Sequence, residues 1–259
     1  MVKLLLLVFL STSVCFSKQL IISDIDETVK QSNVMDLSEA LKRIIFKTAH
    51  VYPGMKLIYD ELLKRDDSEI FYISASYDFI YDAKEWLDDY GLTFDGAWQR
   101  RLFVSKYEYK FNKVNDLINQ NYKKGDVIYL FGDNNGTDHV VYDDIAKAHS
   151  DKKIEAFVRD VYGVRTILLR NSLESSKVNF VLTSLDLLKP LDLDFLKKDF
   201  EKISQRDFLP VYMRKFMKDF FKKSLCPKKS NDTTICQDKV VDYYNEYIYN
   251  YFLKKSVSF

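Results

Sequence analysis

Two aspartates one residue apart, Asp24 and Asp26, end a short apolar run and are followed by Thr28. The run Leu20-Ile21-Ile22 reads as a buried parallel strand, and the carboxyl end of such a strand is where open α/β sheets hold their ligands. Side chains at i and i+2 of a strand point the same way, so both carboxylates can converge on one spot just past it. Two carboxylates held together repel unless a cation, a proton or a set of hydrogen bonds compensates. A divalent metal meets that need, and Mg²⁺ prefers oxygen ligands while retaining waters. Taken alone, the pair also fits a surface turn with two solvated acids.

A second acidic strand end lies downstream. Val127-Ile128-Tyr129-Leu130-Phe131 is the clearest buried strand of the chain, and it runs into Gly132-Asp133-Asn134-Asn135-Gly136-Thr137-Asp138. A glycine there lets the backbone approach a metal site closely. Asp133 can bind a cation directly, and Asp138 can orient a ligand water or bind in turn. Between the two acidic ends, the strand Glu69–Ile73 ends in Ser74-Ala75-Ser76, and a helix from Lys110 to Asn121 opens with Lys110. Each piece has an ordinary explanation: a serine that ends a strand, a solvated lysine, a β-turn rich in turn residues. Two acidic strand ends with a Ser and a Lys between them form a far rarer arrangement than any one piece.

In this order the pieces resemble the motifs of the haloacid dehalogenase superfamily of phosphohydrolases, whose first motif is D-x-D-x-[TV]. The fuller string Ser23-Asp24-Ile25-Asp26-Glu27-Thr28-Val29-Lys30, with Val51-Tyr52-Pro53-Gly54-Met55 and Tyr72-Ile73-Ser74-Ala75-Ser76, resembles the catalytic domain of the actin-patch-associated phosphatidate phosphatase family and its bacterial relatives. Lys110 with Lys113-Val114 fits the family's K-x-x-[RK]-[IV], with Lys106 and Lys113 as fallback lysines. Gly132-Asp133 with Asp138 fits G-D-x(4)-D, and Val158-Arg159-Asp160-Val161 stands where the family has I-R-D-V. The resemblance runs from about Gln19 to about Gly163.

The resemblance implies a Rossmann-like three-layer αβα sandwich around a central, mostly parallel sheet. It implies Mg²⁺-dependent hydrolysis of a phosphomonoester through an aspartyl-phosphate, with phosphatidate or a similar lipid phosphate as substrate. In that scheme Asp24 is the nucleophile. Asp26 is the acid toward the leaving alkoxide and then the base toward water. Ser74 and Lys110 take up charge on the phosphoryl oxygens. Mg²⁺ is held by Asp24, the Asp26 backbone carbonyl and Asp133, with Asp138 nearby. The short segments between these motifs leave no room for a separate cap domain, which predicts an open site suited to a lipid headgroup, a protein or a nucleic acid end. Two other readings compete: a phosphatase for a nucleotide, a polynucleotide end or a phosphoprotein, and a non-catalytic protein that keeps the fold. A receiver domain fits poorly, because its acidic pair is adjacent.

The chain of 259 residues has room for one large domain, or one with an appendage. Its net charge of +1 gives no bulk argument for nucleic acid, which is not expected as a partner. Residues 1–17 read as a secretory signal peptide: Lys3, the apolar Leu4–Leu10, then Cys15-Phe16-Ser17 as a cleavage site. This predicts export to a periplasm or the medium, with a lipid anchor on Cys15 as the alternative. Removing the signal leaves Cys226 and Cys236, an even pair that suggests a disulfide contributing about 2–3 kcal/mol. Asn135 and Asn231 sit in N-glycosylation patterns, and a glycan on Asn135 would obstruct the site.

Residues 18–190 are therefore expected to form the phosphatase domain, and 191–259 a helical extension packed on it. From Phe195 onward there are 14 Lys/Arg against 8 Asp/Glu. Amphipathic stripes there, Leu209 to Phe220 and Val240 to Tyr251, fit core packing, or peripheral contact with anionic lipid. Local patterns add helices over Asp36–Thr48, Met55–Lys64 and Tyr77–Tyr90, the last capped by Ser76. They also add a strand at Leu102–Val104, a helix His139–His149, and strands at Ile154–Val158 and Val178–Leu182. His139 and His149 lack the spacing of a zinc site.

Overall fold

The computed structural model describes residues 18–32, 49–65, 67–161 and 177–203. The expected signal peptide, the helix over 36–48, the Cys226–Cys236 pair and the basic helices after 203 lie outside these residues.

Six strands form one parallel sheet: β1 (Gln19–Asp24), β2 (Glu69–Tyr77), β3 (Gly96–Arg100), β4 (Val127–Asp133), β5 (Lys153–Arg159) and β6 (Val178–Val181). Their order is β3-β2-β1-β4-β5-β6. The chain winds outward from β1 to one edge, then returns to β1's other side and winds to the opposite edge. The switch point falls between β1 and β4, where a crevice opens at the carboxyl ends of the strands. The expected sheet is thus present, and every pairing in it is parallel.

All six residues of β1 are buried, as a strand covered on both faces requires. Ile21 packs on one face with α1 (Met55–Leu62), α2 (Ala83–Asp89) and the leucines of residues 182–196. Leu20 and Ile22 pack on the other with α3 (Lys106–Asn121) and α4 (Asp138–Ala148). Each fully buried Ile or Leu contributes about 1.5–3 kcal/mol. The described part of the expected C-terminal extension joins the first of these cores. Leu191, Leu193, Leu196 and Phe200, the last at the end of a short helix α5 (Lys197–Phe200), are buried against it.

Three local expectations are corrected. The second strand runs on to Tyr77, and the following helix starts at Ala83. Its cap is Asp82, whose carboxylate accepts from the Lys84 and Glu85 amides at 2.8 and 3.3 Å. The Ser76 hydroxyl is spent elsewhere, on Asp26. The third strand lies at Gly96–Arg100, not at Leu102–Val104, because Leu102 and Phe103 are exposed in a turn. Finally, α3 starts at Lys106, where the Ser105 hydroxyl accepts from the Glu108 amide at 3.1 Å. Lys110 therefore sits one turn inside the helix. No helix among the described residues is long and apolar enough to cross a membrane.

Candidate active site

The register of three strands assembles the site. Asp24 pairs level with Ile73, so Ser74 comes one residue beyond it on β2. Ser23 pairs level with Phe131, so Asp133 also lies one residue beyond Asp24's level, on β4. Asp24, Ser74 and Asp133 thus leave adjacent strands within one pleat of each other, at the switch point.

Lys110 reaches into this cluster from α3. Its ammonium donates to Asp24 Oδ1 at 2.6 Å and makes a short contact with Asp138. Asp138, at the first position of α4, also accepts from the Asp133 amide at 3.3 Å. Gly132 makes that approach possible: a Cβ there would meet Asp138 Oδ2 at 2.6 Å and the Tyr142 ring at 2.7 Å. One carboxylate oxygen each from Asp24, Asp133 and Asp138 lies within 4.8 Å of the others. All three acids and Lys110 are buried.

The charges do not balance. Burial, the largest influence, lifts Asp24 from its ordinary value to about 7; Lys110 opposes, while Asp138 and Asp26 add to the lift. Burial, followed by Asp138 and Asp24, pushes Asp133 well above the carboxylate range. Burial works against the Lys110 charge, but Asp138, Asp24 and Asp133 outweigh it and hold the ammonium above its usual value. Three buried acids against one ammonium leave a deficit of positive charge, and all their donor atoms are oxygens. This donor set fits a hard divalent cation, Mg²⁺ among them. Among the described residues this is the group that could hold a metal, and no histidine takes part.

Asp26 stands outside this cluster and has partners of its own. The chain turns sharply after β1: Glu27 takes a left-handed conformation (φ 61°) and its amide donates to the Lys30 carbonyl at 2.8 Å. The turn brings the Lys30 ammonium back to 3.7 Å from Asp26 Oδ1. Ser32 donates to the same oxygen at 2.5 Å. Asp26 Oδ2 accepts from Ser74 (2.9 Å), Ser76 (3.0 Å) and Tyr81 (2.9 Å). Burial would raise this carboxyl, but the Lys30 charge and the hydrogen bonds from Ser32, Tyr81 and Ser74 hold it below its ordinary value.

A cavity of about 300 Å³ opens over the cluster, lined by Asp24, Asp26, Lys110 and Asp133. Tyr77, Ile80, Arg100 and the exposed Lys106 also line it, as do Asn135, Gly136 and Thr137. The structure therefore gathers Asp24, Lys110, Asp133 and Asp138 into one group and sets Asp26 and Ser74 beside it as a second. Ser74 is fully buried and binds Asp26 rather than lining the cavity. Lys106, one of the two fallback lysines, lines the wall; Lys113 lies over the Trp98 ring at 3.7 Å.

Sequence reasoning missed Lys30, Ser32 and Tyr81 as partners of Asp26, and Arg100 in the wall. Lys30 had a signal, since it stands four residues after Asp26 in the first motif. Tyr81 had none, being one of 18 tyrosines. Thr28, part of that motif, donates to Asp24 Oδ2 at 3.2 Å.

Among solved structures, chains of the Pnkp1/Rnl/Hen1 complex and the Pnkp1/Rnl/Hen1 RNA repair complex are similar. Identity is 13% and 12%, TM-scores are 0.38 and 0.34, and the matches cover 56% and 63% of this chain. They span 49% and 42% of those chains, less than half their length. No curated protein matches. Residues 19–160 match the family model of the catalytic domain of phosphatidate phosphatase APP1. That span opens at β1 and ends on Asp160, just past β5, so it contains every residue of the acid cluster. The chain belongs to this phosphatase family.

Proposed function

We propose that the chain is a divalent-cation-dependent phosphomonoesterase acting on phosphatidate or a closely similar lipid phosphate, through an aspartyl-phosphate on Asp24. The observation that carries the reading is the placement of Asp24. It stands at the switch point, lines the cavity, and has Lys110 on one oxygen and Thr28 on the other. A carboxylate so held keeps a fixed line of approach to a phosphorus atom in the cavity.

In the first step an Asp24 oxygen bonds to phosphorus as the bond from phosphorus to the alcohol oxygen breaks, and the leaving alkoxide takes the proton of a neutral Asp26, which is left ionised. In the second, water attacks phosphorus as the ionised Asp26 takes its proton, the bond from phosphorus to Asp24 breaks, and inorganic phosphate departs. Lys110 balances charge on Asp24 and on the phosphoryl oxygens that approach it. Asp26, ionised and braced by Lys30 and four hydroxyls, suits the base role of the second step as it stands. For the acid role of the first step it must carry a proton, which those partners disfavour. Asp24, Asp133 and Asp138 would hold the cation. When bound, it supplies the positive charge that lets an anionic nucleophile meet an anionic phosphate.

The test is phosphate release from phosphatidate in detergent micelles, with Mg²⁺ and with a chelator. Mg²⁺-dependent release that Asp24→Asn abolishes is the expected result. Release from nucleotides or polynucleotide ends, with none from phosphatidate, would keep the chemistry and overturn the lipid substrate. Silence on every phosphomonoester would overturn the enzyme.

A further inference from the structure

The surface around the cavity mouth carries its own pattern. Among the described residues, the exposed large apolar side chains are Phe79, Leu102, Phe103, Tyr107, Val140 and Phe195. All but Phe195 belong to segments that follow the carboxyl ends of β2, β3 and β4, the same edge of the sheet as the cavity. Apolar residues scattered at random would not gather on the active edge, and a cluster of this kind marks an interaction surface.

Two loops form the core of the cluster, and Arg100 ties them together. Its guanidinium donates to the Ala75 carbonyl at 2.9 Å, near the end of β2 where the first loop begins, and to the Val104 carbonyl at 2.7 Å on the second. It also lies over the Tyr77 ring at 4.2 Å, and Tyr77 stacks on Phe79 at 5.2 Å. Arg100, Tyr77 and Ile80 line the cavity wall, so the exposed rings stand at its lip. Phe103 is fully exposed and sits at φ 67°, a left-handed conformation that bulky side chains rarely adopt. The backbone holds this strained state while presenting the ring to solvent. From Gln99 to Tyr107 the chain has Arg100, Arg101 and Lys106 and no acid. Exposed apolar side chains between cations give this segment the composition of a surface that settles at the headgroup level of an anionic bilayer, while the loop after β2 offers Phe79 flanked by the exposed acids Asp78 and Asp82 and so contributes its ring but no positive charge.

We infer that the loops after β2 and β3 are a seat for an anionic phospholipid bilayer, with Phe79, Leu102 and Phe103 entering the interface and Arg101 and Lys106 facing its headgroups. The inference rests on the lipid-phosphate reading of the site and adds to it the surface that brings the cavity to its substrate. A phosphate headgroup then passes from the bilayer plane along the Arg100–Tyr77 wall to Asp24, without the lipid leaving the membrane.

The experiment compares the full chain with the double variant Phe79→Ser/Phe103→Ser, and separately with Arg101→Ser. Both rings are solvent-exposed, so their removal leaves the core intact. Cosedimentation is measured with phosphatidylcholine vesicles, with and without phosphatidylserine. Turnover is measured on phosphatidate embedded in those vesicles and on soluble p-nitrophenyl phosphate. The expected result is a loss of binding to anionic vesicles, and of vesicle turnover, by roughly tenfold or more in the double variant. Arg101→Ser should lose several-fold, and p-nitrophenyl phosphate turnover should be unchanged in both. Undiminished vesicle binding by the double variant overturns the seat. So does a dimer that the double variant converts to monomer while vesicle binding persists, since a second copy would then cover the patch. Vesicle binding is read without any turnover, so a parent chain inactive on all substrates would refute the enzyme reading and leave this result to be scored separately.

Discussion

Asp24 is a buried acid whose surroundings favour its neutral form, and this sets a pH signature for the cation-free protein. Its folded value of about 7 lies above the ordinary 3.8. A carboxyl raised on folding contributes stability in its protonated form below its ordinary value, and that contribution is lost as pH climbs through the folded value. Asp133 is displaced in the same direction. With a chelator present, the melting temperature should therefore fall as pH rises from about 4 to about 8. At about 1.4 kcal/mol per unit, the loss from Asp24 is a few kcal/mol. Excess Mg²⁺ should reverse the fall at the upper end, because a divalent cation held by these three acids would favour their ionised forms. Asp24→Asn should flatten the chelator curve while removing turnover. A parent curve already flat in chelator would contradict the charge deficit. Gly132 supplies a second residue-level prediction. Gly132→Ala forces a Cβ against Asp138 and Tyr142, at a cost of about 1–3 kcal/mol. It should weaken Mg²⁺ binding, measured by titration calorimetry, more than Gly136→Ala, since open space surrounds Gly136.

At the scale of elements, helix caps decide where chemistry is presented. Ser105 starts α3, and α3 carries Lys110 one turn later to Asp24. Ser105→Ala should cost about 1 kcal/mol, seen as a lowered urea midpoint, with the hydrolytic rate at saturating substrate little changed. An unchanged midpoint would remove the cap. The same elements explain what could be read from the chain alone. β1 and β4 were legible because a strand buried on both faces is a bare apolar run, and each ends in acids. The acid cluster followed from those ends. The cap of α2 was not legible, because Ser76 and Asp82 are both good caps. Only the fold reveals that the Ser76 hydroxyl has a better partner in Asp26. Nor was β3, since Leu102-Phe103-Val104 is more apolar than Gly96–Arg100. Hydrophobicity there marks a surface that faces outward. The bracing of Asp26 joins residues 30, 32, 74, 76 and 81, a tertiary arrangement that no local pattern encodes.

Over the whole molecule, the last described segment closes the fold behind the site. Gly54, just before α1, adopts φ 81°, and a Cβ there would meet the Phe200 ring at 2.5 Å. Ser184 donates to the neighbouring Pro53 carbonyl. Residues 184–200 are thus clamped on the start of α1. From α1 the Tyr59 hydroxyl shares a 2.8 Å hydrogen bond with Ser23, the residue before Asp24. Packing at the far end of the described chain is in this way continuous with the strand that carries Asp24. If the segment is part of the domain, Phe200→Ala should cost about 3–5 kcal/mol and lower the unfolding midpoint of the whole molecule in one transition. Activity per folded molecule should hold, because Phe200 does not line the cavity. A separate early transition, with the site's own unfolding unmoved, would instead make residues 184–200 an independently melting appendage. Chemical denaturation followed in parallel by circular dichroism and by residual Mg²⁺-dependent turnover separates the two outcomes, since a single domain loses both signals at one midpoint.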